Sequence, residues 1–197
     1  MDPKIKQQTE EFLNPVVLRP RLVKASVFIA CFEAMKDSIV DRVKEFFGKD
    51  PRYLTDVKDR RKKYPHQRKD RKGLPFNTLE WLKEMGVVED NDIDAFARAR
   101  ACRNILAHEL FTMLDSGLPA NVDTAFDEMV AVLRKIDVWW IREMEWPEEL
   151  EGKEVPDSEI ISGLVAGMHM VRDIALGDSE KSKSYIEAFR KLTGRAT

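Results

Sequence analysis

The fold class of this 197-residue chain is set by residues 90–113, which read DNDIDAFARARACRNILAHELFTM. Apolar side chains recur there every three or four positions, at Ile93, Phe96, Ala99, Cys102, Leu106, Leu110 and Met113. That spacing places them along one face of an α-helix. An Asp or Asn at 90–92 can cap the first turn, and Ser116-Gly117 followed by Pro119 ends the pattern. The stretch therefore predicts a long helix with one buried face.

The same helical period recurs on both sides of this stretch. We expect a first helix over 20–48, a second over 77–86 and a fourth over 121–140, with the stretch above as the third. Asn77 and Glu80 form the pattern of a capping box at the start of the second helix. No segment alternates apolar and polar residues at the period of a β-strand. The predicted fold class is all-α: a four-helix up-and-down bundle with a C-terminal helical extension.

Composition divides the chain into three parts. Residues 1–145 hold the predicted bundle, interrupted at about 49–76 by a basic segment without helical period. Residues 146–157 are acidic and contain two prolines, so we expect a linker there. Residues 158–197 predict a C-terminal helical pair that packs on the bundle or on a partner.

The overall composition excludes several classes of protein. Hydrophobic residues make up 43% and charged residues 35% of the chain, which is typical of a folded globular protein. The apolar run at 27–32 is too short to span a bilayer and lacks the order of a secretory signal. Cys31 and Cys102 fall inside helical patterns, where reduced core thiols are expected. We therefore expect a cytoplasmic protein with no membrane partner.

The basic segment is a candidate surface for a polyanion. Its candidate RNA-binding residues are Arg60, Arg61, Lys62, Lys63, Arg68, Lys69, Arg71 and Lys72. Such residues gain affinity for a phosphate backbone by releasing counterions, without sequence preference. A solvated charge run explains the same composition equally well, so both interpretations stay open.

Arg103 and His108, on the third predicted helix, are the strongest candidates for chemistry. Their spacing alone is weak, because Arg61 and His66 repeat it in the basic segment, where a neighbouring proline disfavours a helix. The setting of Arg103 is strongly helical, and Asn104 follows it directly. Asn104 and His108 stand one turn apart and share a face of that helix.

Arg103 itself has a different expected direction. On the helical wheel it lies near Phe96 and Leu110, in the apolar stripe. A guanidinium in that place needs a partner or a route to solvent, because an unpaired buried charge is costly. It reaches the His108 side only through its long stem, unless its counterpart in a second subunit supplies the charge there.

The segment Arg103-Asn104-Ile105-Leu106-Ala107-His108 resembles the Arg-Asn-x-x-x-His signature of the HEPN superfamily (higher eukaryotes and prokaryotes nucleotide-binding). In that family the signature lies on the third helix of a four-helix bundle, and two subunits pair so that both copies meet in one cleft. Many members are ribonucleases of toxin–antitoxin, abortive-infection and antiviral defence systems. The resemblance covers residues about 20–143 and implies an endoribonuclease that acts on RNA as a homodimer.

The implied catalytic residues are Arg103, Asn104 and His108, in a reaction that uses no metal and no cofactor. His108 would transfer protons, Arg103 would bind the phosphate, and Asn104 would orient the histidine or donate to a phosphate oxygen. The implied products carry a 2′,3′-cyclic phosphate and a 5′-hydroxyl end. Glu109 and Arg100 are auxiliary candidates, although a solvated helix acid is the simpler account of Glu109.

Two other interpretations of these residues stay open. The bundle can hold RNA, nucleotide or a partner protein without cleaving anything, or Arg103 and His108 can serve helix packing alone. The resemblance also leaves open an antitoxin or a sensor protein as a partner. A subset of the family carries a modified tyrosine two positions after the histidine; here that position is Leu110, so adenylylation at that site is not expected.

Overall fold

The computed structural model describes residues 2–47, 73–145, 155–177 and 179–193, and all regular structure within these ranges is helical. In chain order the helices are α1 (Pro3–Leu13), α2 (Pro15–Phe47), α3 (Leu74–Glu84), α4 (Asp90–Ser116), α5 (Val122–Trp140), α6 (Gly163–Leu176) and α7 (Ser179–Thr193). A π-helical turn, Ile141–Glu145, extends α5. The predicted all-α class is confirmed for the described part of the chain.

Helix α1 precedes the first predicted helix and was missed by the apolar pattern. It has no buried residue, and its large apolar residues are only Ile5, Phe12 and Leu13, which are too few to mark a helix in the sequence. Asp2 caps it by accepting a hydrogen bond from the Lys4 backbone N–H at 2.8 Å, and Pro3 occupies its first turn. This Asp-Pro pair is the signal that marks its start in the sequence.

Helix α2 begins five residues earlier than predicted. Asn14 accepts a hydrogen bond from the Val16 N–H at 3.0 Å, and Pro15 stands at the first helical position. The helix then continues through Pro20, which was predicted to begin it. Proline cannot donate to the carbonyl of Val16, but Val16 is exposed, so water can satisfy that group.

The predicted start of α3 was wrong. A capping box was expected at Asn77 and Glu80, but the helix begins at Leu74, with Gly73 as its N-cap at φ 110°. The end of α3 agrees with the prediction, because Gly86 adopts a left-handed φ of 75° there.

Helices α4 and α5 lie close to their predicted positions. Glu89 is the N-cap of α4, and its backbone N–H donates to Asp92 Oδ2 at 2.9 Å. The predicted cap at 90–92 was therefore wrong by one to three residues, although Asp92 takes part in the capping interaction. Gly117, at φ 95°, ends α4 as predicted, and α5 begins after its N-cap Asn121, at the start of the predicted range.

One hydrophobic core connects α2, α3, α4, α5 and α6. Met35 of α2, Leu106 of α4 and Leu133 of α5 are fully buried at its centre. Phe96 of α4 packs edge-to-face against Phe76 of α3, with ring centroids 5.2 Å apart. The core thus contains the apolar stripe that the sequence predicts for α4.

The two cysteines confirm the expectation of reduced core thiols. Cys31 and Cys102 are both free and buried, and burial raises the pKa of both thiols.

Helix α6 belongs to the same core, although it starts later than the predicted 158. Its Val165 and Met168 are buried there. Ser162 caps α6 by accepting a hydrogen bond from the Val165 N–H at 3.1 Å, and the Ser162 hydroxyl donates to Asp137 of α5. The buried Asp137 carboxylate also pairs with Arg42 of α2. Apolar packing and this polar network together tie α6 to α2 and α5.

Two of the predicted segments lie largely outside the residues that the structure describes. Residues 49–72 of the basic segment and residues 146–154 of the expected linker lie outside the described residues. Within the described ranges, no helix combines the length and the hydropathy that crossing a bilayer requires.

Candidate functional site

Helix α4 positions the three residues of the signature. Arg103 is partly exposed, whereas Asn104 and His108 are exposed. Arg103 Nη1 donates a hydrogen bond to Asn104 Oδ1 at 3.2 Å. The structure therefore brings Arg103 and Asn104 into contact, and it places His108 one helical turn beyond Asn104 on the same face.

Glu33 of α2 is the acidic partner of Arg103. Arg103 Nη2 lies 2.5 Å from Glu33 Oε1, and the two side chains are 29% and 30% exposed. Within the described part of the chain, Arg103 Nε is buried and has no hydrogen-bond partner. The guanidinium thus obtains both a partner and a route to solvent, as its position in the apolar stripe required.

Lys36 also binds the Glu33 carboxylate. Its ammonium donates to Glu33, and it lies 3.4 Å from Asp37 Oδ1, a more exposed acid. The hydrogen bond from Lys36, followed by the one from Arg103, holds the pKa of Glu33 below its usual value, against the opposing effect of burial. The same bond raises the pKa of Lys36. Glu33 is therefore an ionised carboxylate shared by two cations.

The α4 surface around His108 carries mainly uncharged side chains, with the exposed Glu109 next to the histidine. Ala101, Asn104, Ile105, His108 and Phe111 are all exposed and follow one another along one side of the helix; we call them the site face. Phe111 is 82% exposed. No hydrogen bond or ion pair to the His108 ring is formed within the described ranges.

The auxiliary candidates have different surroundings. Glu109 is exposed on α4. The Arg100 guanidinium lies 5.4 Å from the centroid of the Phe76 ring of α3, in a cation–π contact. The candidate RNA-binding residues Arg60, Arg61, Lys62, Lys63, Arg68, Lys69, Arg71 and Lys72 lie outside the described residues. Their role stays a prediction.

A cleft of about 690 Å³ lies elsewhere, between α2, the α4–α5 connection and the α6–α7 turn. It is lined by four cations, Arg21, Lys24, Arg172 and Lys181, and none of the three signature residues reaches it. Each of these cations is paired with a carboxylate, at Glu11, Asp123, Asp127 and Asp173 respectively. The cleft cations are therefore paired with acids just as Arg103 is, and the cleft is separate from the candidate site.

Neither Glu33 nor Lys36 was identified from the sequence. Both are ordinary charged residues on the predicted first helix, and only the packing of α2 against α4 brings Glu33 to Arg103. The one signal was indirect: a guanidinium in an apolar stripe requires an acid from a neighbouring helix.

The exposed site face offers an imidazole for proton transfer and an amide for hydrogen bonding, and the adjacent Arg103 offers a guanidinium anchored by Glu33. One chain supplies one copy of each group. Comparisons of this chain with protein-family models, with curated proteins and with solved structures give no match.

Proposed function

We propose that this protein is a metal-independent endoribonuclease of the HEPN type, in which Arg103, Asn104 and His108 act in a homodimer. The observation that carries the proposal is on α4: the His108 imidazole, which binds no residue of the described ranges, stands one turn from the exposed Asn104 amide. That amide accepts a hydrogen bond from the Arg103 guanidinium, which Glu33 anchors. The packing of α2, α3, α4 and α5 around one core supports the proposed four-helix up-and-down bundle of that family.

The proposed reaction is transphosphorylation by the RNA itself. His108 takes the proton of the 2′-hydroxyl, and the 2′-oxygen attacks the adjacent phosphorus. The bond from phosphorus to the 5′-oxygen breaks, and a second imidazole protonates the leaving oxygen. Arg103 stabilises the charge that develops on the phosphorane oxygens, and Asn104 donates a hydrogen bond to one of them. The products are a 2′,3′-cyclic phosphate and a 5′-hydroxyl.

A homodimer supplies the second imidazole. Two proton transfers on opposite sides of the phosphorus need two groups, and one copy of the chain has one histidine on the site face. Pairing of two site faces around a two-fold axis brings two copies of His108 together. The exposed Phe111 and Ile105 support this arrangement, because large apolar side chains are typical of the buried centre of an interface.

The test is cleavage of single-stranded RNA in EDTA by the purified protein. His108→Ala should lower the rate by about a thousandfold, the scale of lost general acid–base catalysis. The matched control is His169→Ala, which removes an exposed histidine of α6 and should leave the rate unchanged. Equal activity of His108→Ala and the unaltered protein would reject the assignment.

The proposed biological role is growth arrest or anti-phage defence. Unselective cleavage of cellular RNA would be toxic to the producing cell, so expression of the unaltered chain should stop growth. Expression of His108→Ala at the same level should not. Equal growth of both strains, with cleavage intact in vitro, would show that the protein cleaves RNA but does not arrest growth.

A binding or assembly module that does not cleave RNA is the second candidate. The exposed Ile105 and Phe111 favour it, because large apolar side chains suit a protein interface whether or not RNA is cleaved. The Arg103–Glu33 ion pair fits a different alternative, in which Arg103 serves helix packing alone. The second candidate predicts RNA binding without product under all conditions, and a dimer whose formation does not depend on His108.

A further inference from the structure

We propose that Glu33 is the positioning residue for Arg103: its carboxylate holds the guanidinium in the orientation that meets the substrate phosphate. The inference rests on the proposed ribonuclease function and adds to the site a residue from another helix. Arg103 Nη2 lies 2.5 Å from Glu33 Oε1, across the contact between α2 and α4.

Two contacts fix the guanidinium plane. One terminal nitrogen of Arg103 binds Glu33, and the other donates to Asn104 Oδ1 at 3.2 Å. Arg103 Nε is buried, so the face presented to an anion consists of the remaining N–H groups on the two terminal nitrogens. Because the Asn104 oxygen is occupied by Arg103, its amide nitrogen is left to donate to a phosphate oxygen.

Glu33 does not neutralise the site. Its carboxylate is shared between Arg103 and Lys36, so two cations stand beside one anion. Asp37, a second acid, lies 3.4 Å from Lys36 and is 63% exposed. Asp37 offsets Lys36 and not Arg103, so the Arg103 guanidinium shares Glu33 with a second cation and keeps N–H donors that can bind a phosphate.

Positioning of this kind lowers the barrier because the cation is already oriented when the reaction begins. Without the carboxylate, the long arginine side chain recovers rotamer freedom and its charge turns toward solvent. The loss should appear in the chemical step more than in binding, because Arg103 keeps its charge and loses only its fixed orientation toward the reacting phosphate.

The test compares Glu33→Ala and Glu33→Gln with a matched control. Arg98 of α4 also forms an interhelical pair, with Glu128 of α5 at 2.9 Å, and Glu128 is 31% exposed. Glu128→Gln therefore removes an equivalent ion pair from the same helix. Thermal unfolding of all variants sets an assay temperature at which each remains folded.

We expect kcat for RNA cleavage to fall about 10- to 100-fold in Glu33→Ala, the scale of a small misplacement. The dissociation constant for an RNA that carries 2′-O-methyl groups, and so cannot be cleaved, should change much less. Glu33→Gln, whose amide oxygen still accepts from Arg103, should retain more activity than Glu33→Ala, and Glu128→Gln should match the unaltered protein.

Several outcomes overturn the inference. A rise in kcat in either Glu33 variant would show that the carboxylate blocks Arg103. An unchanged kcat, or a loss equal to that of Glu128→Gln, would show a structural pair only. Absence of cleavage by the unaltered protein would overturn the proposed function and this inference together, whereas normal cleavage by Glu33→Ala would overturn the inference alone.

Discussion

Arg103 is a charged residue at a position that the helical period assigns to a buried stripe, and its surroundings show how the chain accommodates it. The guanidinium leaves the core by its long stem, pairs with Glu33 and remains 29% exposed. A paired and partly solvated arginine avoids the cost of an isolated buried charge. The same arrangement leaves N–H donors at the surface, which is what an anion site requires.

Asp137 is the most deeply buried carboxylate described, at 1% exposure. Burial raises its pKa, although the Ser162 hydroxyl and Arg42 act in the opposite direction. A folded-state pKa above the unfolded value means that the folded protein binds the proton more tightly. Stability from this group is therefore complete below the unfolded pKa and is lost as pH rises through the folded one.

We expect Asp137→Asn to remove this dependence, because the amide does not titrate. Its oxygen can accept from Arg42, and its NH2 can donate to the Ser162 hydroxyl in place of the bond that Ser162 now donates to the other carboxylate oxygen. Urea unfolding across a series of pH values measures it. Relative to the variant, the free energy of unfolding of the unaltered protein should decrease as pH rises through the raised pKa. A difference that stays constant, or that grows with pH, would contradict the account.

Helix α4 has one face buried in the core and one face exposed to solvent. The buried face, which includes Phe96 and Leu106, was predicted from the period of apolar residues and lies in the core. The site face carries Asn104, His108 and Phe111 toward solvent. The same helix therefore anchors the proposed site residues in the hydrophobic core.

Phe111→Asp should disrupt the proposed dimer without unfolding the chain. Its ring is 82% exposed, so the substitution removes little intramolecular packing and places a carboxylate at the interface. Light scattering coupled to gel filtration should show a monomer, and RNA cleavage should fall with it. Val171→Asp, at an exposed apolar position of α6, serves as the control.

An unchanged dimer in Phe111→Asp, with full cleavage, would place the interface elsewhere on the molecule. Loss of secondary structure in the variant, seen by circular dichroism, would instead show that Phe111 contributes to the fold of a single chain.

Prediction from the sequence succeeded for elements with a strong apolar stripe and failed where that stripe was absent. Helices α4 and α5 bury one face, and their positions were predicted to within one to three residues. Helix α1 carries few large apolar residues, so the Asp2-Pro3 pair at its start was the clearer signal. The start of α3 was misplaced because Asn77 fits a capping pattern that the preceding Gly73 supersedes.

The candidate site was predicted in part. The sequence singled out Arg103, Asn104 and His108 as candidates through their helical context and their resemblance to the HEPN signature, both of which are local information. The contact with Glu33 depends on how α2 packs on α4, and no local pattern encodes it. Tertiary partners of charged residues are the component that required the structure.

Helix α6 packs in the same hydrophobic core as α2, α3, α4 and α5. Met168 of α6 and Met129 of α5 are both buried in it. If the chain unfolds as one unit, Met168→Ala and Met129→Ala should each lower the free energy of unfolding by about 3 kcal/mol, the scale of a cavity in a packed core. Denaturant unfolding followed by circular dichroism measures both.

A small effect for Met168→Ala beside a large one for Met129→Ala, or an early separate transition, would show that α6 opens independently of the other helices. Equal effects would place α6 in the same cooperative unit as the helix that carries the proposed site.

The most direct measurement is the identity of the RNA ends left by the purified protein in EDTA. Mass spectrometry of a cleaved single-stranded oligonucleotide should show a 2′,3′-cyclic phosphate and a 5′-hydroxyl, and an oligonucleotide with 2′-deoxyribose at the cleaved position should stay intact. Cleavage of the deoxy substrate, or products with a 5′-phosphate, would contradict attack by the 2′-hydroxyl and with it the proposed roles of Arg103, Asn104 and His108.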